Sequence, residues 1–326
     1  MSNMPNYPNG FKNGLTVRGL PLAITHPGKI FFVNSTSVLA ATDDGVAGAD
    51  SPASGTYQRT FATIDYAFSQ CTASRGDVIF VMPGHTETIS AASGIDQDVA
   101  GTAVIGLGHG SLRPTINYTD TASTWTMAAA DCVMSNILHT GGVDAVVSPI
   151  VVSAADCVID NIEIKDVTGQ MVDGILTTAG ADRILITNHF HNGAAAAGGA
   201  AAIALIGMDN PVIKNFKIIG NFSVGGIDMR TTAVVDHDIS DGYIWTKNAA
   251  DICIVDTITA STGKIGPNIN MMLTDNAANI TTAITAATGQ FFGGGQTAGL
   301  NGASLLVCNL AGESAMTLNV PQSTDA

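Results

Sequence analysis

Basic residues are scarce in this chain: 13 Lys and Arg stand against 27 Asp and Glu, for a net charge of −14. Nucleic-acid affinity rests largely on neutralising phosphates with cations, so this balance excludes an ordinary nucleic-acid binder. Charge of either sign is thin, at 12% of residues, about half the usual share. Stability must then come from apolar stacking, since ion pairs are too few. Aromatic residues are 6%, with two tryptophans, Trp125 and Trp245, and five tyrosines. That composition does not favour stacking against sugar rings. The five cysteines (Cys71, Cys132, Cys157, Cys253 and Cys308) form no CxxC pair. An odd, scattered set reads as buried free thiols, with neither a disulfide framework nor a zinc site. The opening dozen residues have no apolar core of the kind a secretory signal requires. The longest uncharged Ala/Gly run, 193–208, is too short and too small-residued to span a bilayer. These absences predict a protein assembled in a cytoplasm, without membrane or nucleic-acid partners. Hydrophobic residues at 46% exclude disorder.

What the chain does have is repetition. Ala129-Ala-Asp-Cys-Val-Met-Ser-Asn136-Ile is nearly repeated as Ala154-Ala-Asp-Cys-Val-Ile-Asp-Asn161-Ile. The frame returns around Asn188, Asn215 and Asp241, so the five positions Asn136, Asn161, Asn188, Asn215 and Asp241 step by 25, 27, 27 and 26 residues. Periods of this size belong to repeat architectures. Within a repeat the pattern is period two. Cys157, Ile159, Ile162 and Ile164 point one way, and Val158, Asp160, Glu163 and Lys165 the other. Asn161 breaks the phase, and Asn and Asp tolerate the left-handed conformation a sharp bend needs. Each repeat is therefore strand, bend, strand and loop. No helix-period segment of useful length separates the strands, which argues against Rossmann and barrel folds. An all-β, right-handed parallel β-helix satisfies the pattern, each coil stacking on the last over a continuous core. Weaker turns at Gly84 and Gly106 bring the expectation to six or seven coils.

Three regions follow. Residues 1–30 are rich in Asn, Pro and Gly with isolated Tyr7, Phe11, Leu15 and Leu20. They read either as an arm that docks on a neighbouring subunit through Tyr7, Phe11 and Leu15, or as a segment packed on its own domain. Residues 31–258 hold the β-helix. A short helix near 60–71 carries Phe61, Ile64, Phe68 and Cys71 on one face with Thr60 as N-cap, and it caps the open end of the coils. Residues 259–326 depart from the repeat and read as a C-terminal cap or an oligomerisation segment.

Candidate chemistry is sparse. Glycoside hydrolysis needs two carboxylates about 5–10 Å apart in a cleft. The best local candidate is Asp236-His-Asp238-Ile-Ser-Asp241. The stronger expectation is that Asp238 is solvated on the outer face and Asp241 serves the turn. His189-Phe-His191 sets two imidazoles on one strand face, but a lone pair lacks a full ligand set. Exposed polar residues beside a turn are the stronger expectation there too. Gly108-His109-Gly110 matches a short polygalacturonase motif without the companion elements, and a turn explains it better. No catalytic residue, cofactor or metal ligand is assigned.

Gly55-Thr-Tyr-Gln-Arg-Thr-Phe-Ala-Thr-Ile-Asp-Tyr-Ala67, followed by Gly76-Asp-Val-Ile-Phe-Val-Met-Pro-Gly-His-Thr-Glu87, resembles the opening coil of pectate-lyase-like β-helix proteins. Thr60 stands where many members have Pro. With Asn9-Gly-Phe-Lys-Asn-Gly-Leu15, the style also resembles virion-associated proteins of tailed phages. The first match covers about residues 55–110 and speaks to fold, because one fold hosts many activities. The resemblance implies a homotrimer on the outer capsid surface, assembled in the host cytoplasm. It implies a decoration or cement protein that binds the major capsid protein and stabilises the shell, with weak adhesion to host or environmental glycans. The alternative it implies is a receptor-binding tailspike, with or without polysaccharide depolymerase activity. A cellular lyase or hydrolase of this fold would need a secretory signal.

Overall fold

The computed structural model describes residues 28–35, 47–166, 171–193, 199–247 and 252–273. It adds short strands at 16–17, 20–21, 282–285, 290–292, 296–300, 303–307 and 315–317. The chain winds as a right-handed parallel β-helix of about seven turns, with one short α-helix among the described residues.

Each turn lays down strands in up to three stacked ladders. In the turn that opens at Val133, these are Val133–Ser135, Leu138–Gly141 and Ile150–Val152. The next turn repeats them as Val158–Asp160, Glu163–Asp166 and Asp173–Thr177. Register is parallel and in step: Met134 faces Ile159, His139 faces Ile164, and Ile150 faces Ile175. In later turns the first two strands fuse into one bent strand, Val212–Gly220 and then His237–Thr246. Parallel stacking runs on into the segment that begins at residue 259. Gly263–Ile265, Ile269–Leu273 and Thr282–Thr285 pair parallel with the preceding turn. Antiparallel partners enter this stack with Ala303–Val307 and Ala315–Thr317.

The corner between the first and second ladders is built by the residues the repeat singled out. Asn136, Asn161, Asn188, Asn215 and Asp241 all take positive φ, between 49° and 57°, and Asn268 extends the row at 59°. A left-handed residue costs most side chains about 1–2 kcal/mol, a cost Asn and Asp reduce by bonding locally. Here the bonding also links turns: the Asn161 amide donates to Asn136 Oδ1 at 3.1 Å, and the Asn268 amide to Asp241 Oδ1 at 2.9 Å. A second left-handed row lies five residues upstream, at the corner entering the first ladder: Asp131, Asp156, Arg183, Asn210 and Asp236. Gly76 and Gly101 continue it backward.

Inside, one residue per turn forms an apolar column. Along the first ladder it reads Ile79, Val104, Met134, Ile159, Ile186, Ile213, Ile239 and Ile265, all fully buried. Each such burial is worth about 1.5–3 kcal/mol, against about 0–1 for an exposed ion pair. The low charge content is therefore no handicap. Cys132 and Cys157 occupy adjacent turns of the interior as free thiols, and burial pushes the Cys157 thiol up to about 12. The column just after the Asn corner reads Ile137, Ile162, His189, Phe216, Gly242 and Ile269. Gly242 is required by its neighbour: a Cβ there would stand 2.1 Å from Phe216 Cζ.

The capping helix is shorter than the sequence suggests. It spans Ile64–Ser69, and its N-cap is Thr63, whose hydroxyl accepts from the Tyr66 amide at 3.2 Å. Thr60 is not the cap. Its hydroxyl donates to the Asn34 carbonyl, and Phe61 is held in a parallel bridge to Val33. The backbone at 60–61 is thus already committed to the coil. Asp50 accepts from the amides of Ala62 and Thr63, and Glu87 from that of Ile64. Phe61, Ile64 and Phe68 are buried as the helical spacing predicts, and Phe68 meets the Trp125 ring edge-on at 6.5 Å.

Candidate functional site

The sequence-derived candidates fall into place one by one. Tyr7, Phe11 and Leu15 lie outside the described residues. Asp238 is on the outer face, as expected, between Lys214 at 3.0 Å and Lys264 at 3.4 Å. Asp236 and Asp241 hold the two corners, Asp236 accepting from Thr262 and Asp241 from Asn268. His109 precedes a single 3-10 turn, Gly110–Leu112, flanked by Gly108 and Gly110 at positive φ.

The histidines differ from expectation. His189 and His191 are not exposed beside the turn but buried in the core, both 1% accessible. The reason is phase. Residues one and three after each corner Asn point inward, as Ile162 and Ile164 do, and His189 and His191 stand at those positions. His139 and His237 are buried as well. Burial holds all four imidazoles well below their usual range, to about 3 for His139 and His191 and about 4 for His189 and His237. The Tyr118 hydroxyl lies 2.9 Å from His139 Nδ1. Among the described residues no group of three or more His, Cys, Asp or Glu is placed to hold a metal ion.

A different site emerges on the outer face of the second ladder, where parallel register assembles residues distant in sequence. Phe190, Lys217, Tyr243 and Asn270 form one outward row across four turns, and Asn192, Ile219, Trp245 and Met272 form the next. Lys217, Ile219, Tyr243 and Trp245 line a groove of about 330 Å³. Lys217 Nζ sits 5.2 Å over the Phe190 ring, and Lys247 Nζ sits 5.7 Å from the Trp245 ring centre. The Tyr243 hydroxyl donates to Met272 Sδ at 3.5 Å. Of the two tryptophans, Trp125 is wholly buried, whereas Trp245 stands half-buried on this face. Three aromatic rings, Phe190, Tyr243 and Trp245, thus come together where a flat ligand could lie. Composition does not show this, because the rows exist only once turns of 26 and 27 residues are stacked.

Opposite in character is the outer face of the first ladder. Its column reads Ile30, Val78, Ala103, Val133, Val158, Leu185 and Val212 before Asp238 and Lys264 end it. Ile30 is 48% exposed, and Val78 through Val212 are half-buried. Phe32, Phe80 and Ile105 add an apolar row beside its first turns.

Comparison of the chain with family models, with curated proteins and with solved structures returns no match.

Proposed function

We propose that the chain is a structural protein of a virion surface, a capsid decoration protein that assembles as a homotrimer of parallel rods. It binds the outer face of the major capsid protein and reinforces the shell. The observation that carries this reading is the apolar column from Ile30 to Val212 on the first ladder's outer face. Seven strands at a spacing of about 4.8 Å make a strip about 30 Å long. Such a strip suits rods packed side by side, and unpartnered apolar patches of this kind mark interaction surfaces. Structural use of the carboxylates supports the same reading: Asp236, Asp238 and Asp241 are each engaged in corners or ion pairs. Three copies of the segment holding Tyr7, Phe11 and Leu15 would turn weak contacts into firm attachment through effective concentration. The aromatic groove favours a second reading, a receptor-binding tailspike.

Two measurements test the proposal. Quantitative mass spectrometry of purified particles is expected to find hundreds of copies alongside the major capsid protein. A dozen or two would establish the tailspike reading, and none would end both. Light scattering on the isolated chain is expected to give a trimer, and Val158→Asp a folded monomer. Asp238 occupies the same outward column, so the strand accepts the substitution. A monomeric wild-type chain would overturn the assembly.

A further inference from the structure

The groove on the second ladder's outer face has a charge that the rest of the molecule does not share. Five of the seven lysines fall between residues 165 and 264. Lys214 and Lys264, on the first ladder, share the single carboxylate of Asp238. Lys165, Lys217 and Lys247 take part in no ion pair among the described residues. All three belong to the second ladder. Lys165 is in register with Asn192, Lys217 with Phe190 and Tyr243, and Lys247 follows Trp245 by two residues along the same strand line. The acid of that face nearest in register, Glu163, is held by Arg113 at 3.2 Å. In a chain of net charge −14, this is a local cationic surface set around three aromatic rings.

We propose that this groove binds an acidic oligosaccharide, a chain of sugars carrying carboxylates. The chemistry matches on two counts. The C–H face of a pyranose ring is apolar and lies flat on an aromatic side chain, and Tyr243 and Trp245, two residues apart on one strand face, stand about 7 Å apart. The sugar carboxylates meet Lys217, held beside the groove over the Phe190 ring, and Lys247, whose flexible stem lets its ammonium move off the Trp245 ring to the carboxylate as the sugar stacks there. A neutral glycan would use the rings and leave the lysines idle. The chain as a whole, at −14, repels polyanions, which favours binding where unpaired lysines gather. The inference is independent of how the rods assemble, because the trimer strip lies on the first ladder and the groove on the second.

Binding of tetragalacturonate and of an oligomer of sialic acid to the full chain, measured by calorimetry at low salt with maltotetraose as neutral control, tests it. Either acidic probe is expected to bind at least about tenfold more tightly than the control, with the advantage shrinking as salt is raised. Trp245→Ala is expected to lose at least about tenfold in affinity, and Trp245→Phe to retain most of it. The pair Lys217→Gln and Lys247→Gln is expected to bind acidic and neutral probes alike. Circular dichroism melts confirm that each variant keeps the coil. Binding of neither acidic probe would overturn the proposal. So would affinities unmoved by Trp245→Ala or by the lysine pair, or tight capture of single-stranded oligonucleotide in place of the sugars.

Discussion

Acidification from about pH 7 to about pH 4.5 is expected to lower the melting temperature of this rod by about 10 °C or more. The cause is the set of imidazoles buried in the coil. A histidine in the unfolded chain takes up a proton near pH 6.5. In the folded chain burial delays that step to about 3 for His139 and His191 and about 4 for His189 and His237. Above about pH 6.5 both states are neutral and stability does not depend on these groups. Below it the unfolded state binds protons that the folded state refuses, so stability falls as pH falls toward the folded values. Each group contributes about 1.4 kcal/mol per pH unit below about pH 6.5, so the four together cost about 5 kcal/mol per unit and at most about 10 by pH 4.5. Two carboxyls oppose them: burial first, and then the charge of Asp228, raise Asp173 to about 6, and burial first, and then Asp98 and Asp65, raise Asp96. The folded state therefore holds those protons more tightly, for Asp173 between about pH 4 and 6, which stabilises it on acidification. Two carboxyls do not offset four imidazoles. Thermal melts across pH 4.5 to about 8 check the sign, and a flat profile would mean that the imidazoles reach solvent.

The second large effect concerns one of those histidines. His189→Ile is expected to stabilise the protein by about 1–3 kcal/mol, and by more at pH 5 than at pH 8. Both ring nitrogens of His189 are buried and neither makes a well-formed hydrogen bond among the described residues, although the Ile162 backbone lies close enough to favour the protonated ring. The preceding two turns place Ile137 and Ile162 at the same position, both buried. The substitution extends that column with a side chain of similar volume and removes two buried, poorly satisfied polar atoms. It also relieves His139 and His191, whose imidazoles are pushed down mainly by burial and in part by His189. Urea unfolding of the two chains side by side measures the difference. A less stable variant would show that the imidazole has a partner inside the coil.

That histidine also shows how far the sequence can be read. The repeat at Asn136 and Asn161 identifies the first corner, and the alternation around Cys157 gives the inward and outward faces of its turn correctly. Carried forward one turn, the same frame puts His189 and His191 inside, at the places of Ile162 and Ile164. Residue type suggests exposure, but position in the repeat decides burial. The second corner is harder to see because Asp131, Asp156, Arg183, Asn210 and Asp236 share no single side-chain type, although their spacing equals that of the first. The capping helix is misjudged at its start because Phe61 has helical spacing yet pairs with Val33. The groove is illegible for a different reason. Phe190, Lys217 and Tyr243 look unrelated until strand register sets them in one row.

The in-step stacking of the ladders has a mechanical consequence. The backbone hydrogen bonds that join one turn to the next run, with a slant, mainly along the axis of the rod. A load pulling the ends apart meets one rung of a few bonds at a time, so the turns peel off in sequence, each at modest force. A load across the axis acts along the strands instead and must shear many rungs together. The rod is stiff against sideways blows and yields by unwinding when stretched.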